Sequence, residues 1–181
     1  MNDKKKLLEF RKQKDWHWKN DEESPLTKEQ KKHFKGLHYF QPNPELYFVL
    51  SLSKDVADVG KEVIIKTTDG DTQMYLKAGK ITFNVEGKTV TATIFEDPEQ
   101  VQYQYYLLFR DKTTGEETYK NGRMLQIERE GDRMIVDFNY AYNPYSAYND
   151  NWGCPISPKE NFLPVRLEAG EKIYEERQIW S

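Results

Sequence analysis

From Leu46 onward the apolar residues recur at every second position, and this spacing constrains the fold more than any other feature of the chain. Leu46, Phe48, Leu50 and Leu52 alternate with Tyr47, Val49, Ser51 and Ser53. Successive side chains of a strand point to opposite faces, so the pattern describes a strand with one face in a core. Residues 81–85, a Glu86-Gly87 turn and residues 89–94 repeat it as a hairpin, with Thr or Asn on the second face of both arms. Further strands are expected over 103–109, 123–128 and 134–139, the last two joined by a turn at Glu130-Gly131. Leu163, Val165 and Leu167 suggest a last one. Roughly seven short strands with turns at this spacing predict a mainly β fold, an antiparallel β-barrel or sandwich.

The first 40 residues read differently. A helix over 4–15 would dock through Leu7, Leu8 and Phe10, with Trp16 and Trp18 near its end. Ser24-Pro25 breaks the pattern; Thr27 with Gln30 then forms a capping box, and Gly36 supplies a stop after Phe34. The expectation is a single domain over 1–181, in which one or two short N-terminal helices within 1–40 pack on a β-rich body spanning 45–170.

Charge limits the partners. Lys and Arg total 27 against 30 Asp and Glu, a net charge of -3 that gives no general attraction to nucleic acid or an anionic membrane. The basic run Lys4-Lys5-Lys6, with Arg11, Lys12 and Lys14 behind it, reads as the solvated side of a helix. No apolar run approaches the ~20 residues of a membrane span, and no apolar segment follows Met1 as a secretory leader would require. Cys154 is the only cysteine, which excludes an internal disulfide and fits a reducing compartment, so the expected location is cytoplasmic.

The hairpin register makes one residue conspicuous. Keeping Leu125 and Ile127 on the same face as Met134 and Val136 puts Arg123 on the core-facing side, because a one-residue slip would reverse every side chain. A guanidinium there either meets a carboxylate or other acceptors at a barrel mouth, or snorkels to solvent. Glu160 and Asp137 are the expected partners for a charge-assisted pair.

Catalytic signatures are scarce. There is no nucleophile elbow, no glycine-rich phosphate loop and no paired Cys or His motif, so neither a cofactor nor a metal is expected. His17, His33 and His38 all precede the β-rich part. Asp111, Asp137, Glu160 and Glu171 remain as acid-base candidates, with Asp137 and Glu160 foremost. Asp137 should point away from the apolar face and cap the following loop by accepting N–H bonds. Residues 111–115 read as a turn held by Asp and Thr side chains. Cys154 has no cation beside it in sequence and reads as a structural thiol.

The densest functional signal is the loop that follows. Phe138, Tyr140, Tyr142, Tyr145, Tyr148 and Trp152 interleave with Asn139, Asn143, Asn149 and Asn151. Such a loop holds something on a rigid surface, or packs down upon itself.

Ser24-Pro25-Leu26, Phe34-Lys35-Gly36-Leu37, Tyr39-Phe40, 109–119 and Gly122-Arg123 together resemble the bacterial and archaeal family called domain of unknown function 1684. So do Asp137-Phe138-Asn139, Ala141-Tyr142-Asn143-Pro144, Cys154-Pro155, Pro158, Glu160-Asn161 and Ala169-Gly170-Glu171-Lys172. The resemblance spans nearly the whole chain and implies which residues belong together, but no activity. The family pattern usually has a cysteine where this chain has Ser146, so a thiol pair with Cys154 is not available here.

The leading expectation is a domain that binds a polar or anionic small molecule at one end of the body. Arg123, Asn139, Tyr142, Asn143, Glu160 and Asn161 would supply specificity. Two alternatives stand beside it: a hydrolase or lyase working through Asp137 or Glu160, and a partner-binding or scaffold module with an exposed aromatic patch. The loop could also simply close one end of a barrel.

Overall fold

The Asp3 carboxylate accepts from the N–H groups of Lys5 (2.9 Å) and Lys6 (3.2 Å), and the helix so capped, α1, runs Lys4–Asn20. The computed structural model describes residues 3–54, 57–100 and 104–177. α1 continues past the expected end at Asp15 because Trp18 is held edge-on against the rings of Tyr145 (5.8 Å) and Tyr148 (6.0 Å). Leu7 is buried as expected, whereas Leu8 and Phe10 stay largely exposed. Arg11, one turn beyond Leu7, is buried instead: it donates to the Phe40 carbonyl (3.0 Å) and sits 4.3 Å above the Tyr39 ring. The second helix, α2, spans Lys28–His33 and starts with the expected capping box between Thr27 and Gln30. Among the described residues no helix is long and apolar enough to cross a membrane.

Seven strands follow among the described residues: β1 Tyr47–Ser51, β2 Glu62–Lys66, β3 Thr72–Val85, β4 Lys88–Glu96, β5 Tyr105–Phe109, β6 Arg123–Glu130 and β7 Arg133–Asp137. They form one antiparallel sheet in the order β1-β7-β6-β5-β4-β3-β2. The protein is therefore mainly β, as its alternating pattern predicts. The Glu86-Gly87 turn joins β3 to β4 as read from the sequence, with Val85 opposite Lys88. Of the strand expected over 103–109, Tyr103 lies outside the described residues.

The sheet curls back on itself. Just past β1, Ser53 and Lys80 exchange N–H···O bonds of 2.8 and 2.9 Å, which joins the first strand to β3. The register of β3 shifts between Lys77 and Gly79 at this point. A side chain at Gly79 would place its Cβ 2.5 Å from the Ser53 carbonyl oxygen, so the closure requires glycine. Inside lie Ile81, Phe83, Ile94, Leu107, Ile127 and Val136, with Phe109 and Phe83 both packed on Phe138 at 5.5 Å. The first half of β3 and β2 cover a smaller apolar layer on the outside, where Ile65, Tyr75, Phe95, Tyr106 and Leu108 meet.

Three expectations need correction. The β6–β7 turn is Gly131-Asp132, not Glu130-Gly131, because Glu130 pairs with Arg133. This moves the register by two residues and so leaves every face as expected: Leu125, Ile127, Met134 and Val136 share the core. β7 also stops at Asp137, where Phe138–Tyr140 forms a 3-10 turn. The segment carrying Leu163, Val165 and Leu167 is not a strand. Its apolar side chains are buried, but the Leu167 and Ala169 carbonyls turn to Arg123 instead of to a neighbouring strand.

Candidate functional site

Arg123 begins β6 with its side chain inward, 1% exposed, and it does not reach solvent. Its two terminal nitrogens donate to the carbonyls of Leu167 (2.9 Å), Ala169 (2.5 Å) and Glu171 (3.2 Å). Its carboxylate partner is Asp111 at 3.6 Å, neither Glu160 nor Asp137, because the 111–115 turn and the 167–171 segment cross directly beneath it. Asp111 accepts in turn from the Leu167 N–H (2.6 Å) and the Thr113 hydroxyl (2.7 Å). Burial lowers the Arg123 pKa, and the fields of Asp111 and Glu171 oppose that shift. The snorkelling alternative does not hold, and the charge expected to attract an anion is balanced within the protein.

The aromatic loop meets the same segment from the other side. The Glu171 carboxylate is 1% exposed; it pairs with the Lys14 ammonium and accepts from the Asn143 N–H (2.8 Å) and the Tyr148 hydroxyl (2.9 Å). Gly170 allows this contact. Its φ is +76°, and a Cβ there would lie 2.4 Å from the Ala141 carbonyl oxygen. Tyr39, Tyr142 and Tyr148 all have raised phenol pKa values, in each case chiefly through burial. Guanidinium and aromatic loop thus converge on one end of the body, and what they hold there is residues 167–172.

The asparagines expected to contact a ligand contact main chain instead. The Asn139 side chain donates to the Asn43 carbonyl (2.8 Å) and accepts from the Asn43 N–H (2.7 Å). The Asn143 amide donates to the Lys172 carbonyl (2.8 Å). Asn161 lies where β4 and β5 separate: their ladder contains only Phe95↔Tyr106 and Glu96↔Tyr105. Its side chain accepts from the Thr93 N–H (2.8 Å) and donates to the carbonyls of Thr93 (2.8 Å) and Leu108 (3.0 Å), replacing the peptide groups the ladder lacks. Glu160 is exposed on another face, bonded to Lys77 and to the Thr93 hydroxyl at 3.0 Å each. Cys154 accepts from the Ser146 N–H at 3.3 Å.

Asp137 and Tyr142 line a groove. Asp137 caps the 3-10 turn through the Asn139 N–H (3.0 Å), as expected, and points outward beside β1, where its register partner is Tyr47. The groove, of about 820 Å³, runs between the N-terminal half of α1 and the outer face of β1, β7 and β6. Phe10, Tyr47, Tyr140 and Tyr142 supply rings to its wall. Among the described lining residues, Glu128 and Glu130 bring exposed carboxylates and Lys6 an ammonium, while Asp3 caps α1 and Asp137 caps the 3-10 turn. Burial raises the Tyr140 pKa first, and Asp137, Asp3 and Glu128 raise it further against the field of Arg11. Tyr47, Phe10, Glu128 and Glu130 carry no motif, and their grouping depends on the β1–β7 pairing and on where α1 docks. Tyr140 already stood within the aromatic run.

Fold and groove define the class: a small antiparallel β domain in which a polar plug closes one end, and an N-terminal helix builds a cleft against the outer face. The chain belongs to the family described as protein of unknown function (DUF1684), whose model matches residues 32–172. It is similar, at 32% sequence identity, to the uncharacterized protein from gene locus rrnAC0354 of Haloarcula marismortui, solved by solution NMR. The likeness covers 95% of each chain with a TM-score of 0.71. No curated protein matches the chain.

Proposed function

We propose that the protein binds a small basic molecule, an amine or quaternary ammonium compound, in the groove beneath α1. The observation that carries this reading is an aromatic wall with the exposed carboxylates of Glu128 and Glu130 beside it. Rings stabilise cations through their π faces, by about 0.5–2 kcal/mol each depending on desolvation. Carboxylates at the rim add a field that steers cations inward and weakens with salt. The volume of about 820 Å³ is within the range usual for small-molecule sites. Polar ligand binding is kept from the sequence reading, but it moves from one end of the body to the outer face, and the sign of the ligand is reversed because Arg123 faces inward while Glu128 and Glu130 face outward.

Thermal-shift and NMR titrations with putrescine, spermidine and choline, set against citrate and phosphate, test the reading. The cations should stabilise the protein at low salt and move the resonances of Tyr47, Tyr140 and Glu128. Glu128→Gln combined with Glu130→Gln, both on the exposed outer face of β6, should weaken binding about tenfold without lowering stability. Binding of the anions alone, or cation-induced shifts confined to another face, would refute the proposal.

A further inference from the structure

β2 is the last strand of the sheet, bonded to β3 on one side. The N–H of Lys77 donates to the Lys61 carbonyl and that of Thr67 to the Asp71 carbonyl, so the odd-numbered residues between them face β3. The N–H and C=O groups of Glu62 and Ile64 therefore point away from β3, to an edge that no strand covers among the described residues. At the far end of the strand the edge is already covered: Ile156 donates to the Lys66 carbonyl (2.9 Å) and Thr68 to that of Cys154 (3.0 Å). The covering chain then leaves, because Ser157 donates to Asn121 and Pro158 has no N–H to give. A groove of about 400 Å³ opens where it departs, between β2 and residues 156–162.

The groove is apolar and cationic. Ile64 and Phe162 are 62% and 55% exposed at its mouth, among the most exposed large apolar side chains described. Lys66, Arg110 and Lys159 line it, and no carboxylate does. We propose that β2 is a docking edge for an acidic, extended segment of another protein, which adds to the sheet as a further strand beside Glu62 and Ile64. Its backbone would pair with those two residues, its apolar side chains would lie over Ile64 and Phe162, and its carboxylates would face the three cations. Glu62 repels acidic side chains from its own end of the strand, so the carboxylates belong at the Lys66 end.

A second copy of this chain fits poorly. Antiparallel self-pairing centred on Ile64 would drive the partner strand into Ile156, which already occupies the Lys66 carbonyl. Self-pairing centred on Glu62 would set two carboxylates opposite each other.

The test uses fluorescein-labelled six-residue peptides and the full chain. Peptides with three valines next to three aspartates, in either order, are the probe, the same peptides with lysine for aspartate the charge control, and the aspartate peptides with N-methylated backbone the pairing control. An aspartate peptide should bind at submillimolar concentration in low salt and slow hydrogen exchange of the Ile64 amide at least tenfold. Lys66→Glu with Lys159→Glu, both at exposed positions, should weaken binding at least tenfold. Equal binding of the lysine or N-methylated peptide, unchanged exchange at Ile64, or sedimentation showing that the free protein pairs through this edge would each overturn the proposal.

Discussion

Replacing Arg123 with alanine separates an architectural guanidinium from a ligand-binding one. The substitution leaves Asp111, 0% exposed at its side chain, without its cation, and removes the donors to three main-chain carbonyls. Removing one partner of a buried pair costs about 3–5 kcal/mol, a large fraction of the roughly 5–15 kcal/mol that holds a domain of this kind together. For a chain of 181 residues each kcal/mol corresponds to about 2–4 °C, so the melting temperature should fall by about 6–20 °C. Arg123→Lys keeps the charge but cannot span carbonyls on three residues, and should cost about 1–3 kcal/mol. Arg123→Met with Asp111→Asn should be less destabilised than the sum of its parts, because no unpaired charge remains. Urea unfolding followed by circular dichroism measures the stabilities, and cation titration of each variant that still folds measures binding. A variant within about 1 kcal/mol of the parent that has lost ligand binding would refute the reasoning and return Arg123 to a binding role.

Three further outcomes follow from the geometry. Asn161→Ala should cost about 2–4 kcal/mol by leaving Thr93 and Leu108 main-chain groups unpaired, and Asn161→Asp more, since it sets a carboxylate against two carbonyls; equal stabilities in urea would contradict the ladder-replacing role. The phenols of Tyr39, Tyr142 and Tyr148 have raised pKa values, so their contribution is complete below about pH 10 and is lost as pH rises above it, by up to about 1.4 kcal/mol per pH unit for each ring. In absorbance at 295 nm these rings should ionise only as the fold is lost, and reversible ionisation of all 12 tyrosines in the folded protein would disprove this. Ser146→Cys should form a disulfide with Cys154, whose sulfur lies 3.3 Å from the Ser146 nitrogen, and gain about 2.5 kcal/mol under oxidation; an unchanged mass after oxidation would exclude it.

Period-two spacing made the strands legible where one face meets the core and the other meets water. It was silent for β2, whose Val63, Ile64 and Ile65 are apolar on both faces, because Ile65 joins the outer layer while Ile64 stays exposed at the sheet edge. The first half of β3 was hidden likewise: Thr72, Gln73 and Met74 face solvent, and only Tyr75 anchors it. Over 163–167 the spacing reported extended backbone facing the core correctly; it pairs briefly with residues 110–112 through Leu163 and Val165, and the pairing ends where the Leu167 and Ala169 carbonyls turn to a side chain. The docking stripe of α1 could not be read as amphipathic at all. Leu7, Arg11, Lys14 and Trp18 lie at helical spacing, but two of the four are cations whose acceptors lie far along the chain.

The same parity rule that put Arg123 inside put Asp137 on the opposite side of the sheet, toward the groove. The inward guanidinium is neutralised by Asp111 and by the carbonyls of 167–171, so it contributes little field at the surface. The outward carboxylate joins Glu128 and Glu130 across the strands. A row of carboxylates on an open sheet would be only a solvated face. It becomes a groove because α1 lies over it, and α1 is held there by Arg11 on the Phe40 carbonyl and Lys14 on Glu171. The polar plug and the groove are therefore coupled through one helix: loosening Glu171 should release the wall that carries Phe10 and Lys6, even though Glu171 lines no part of the groove.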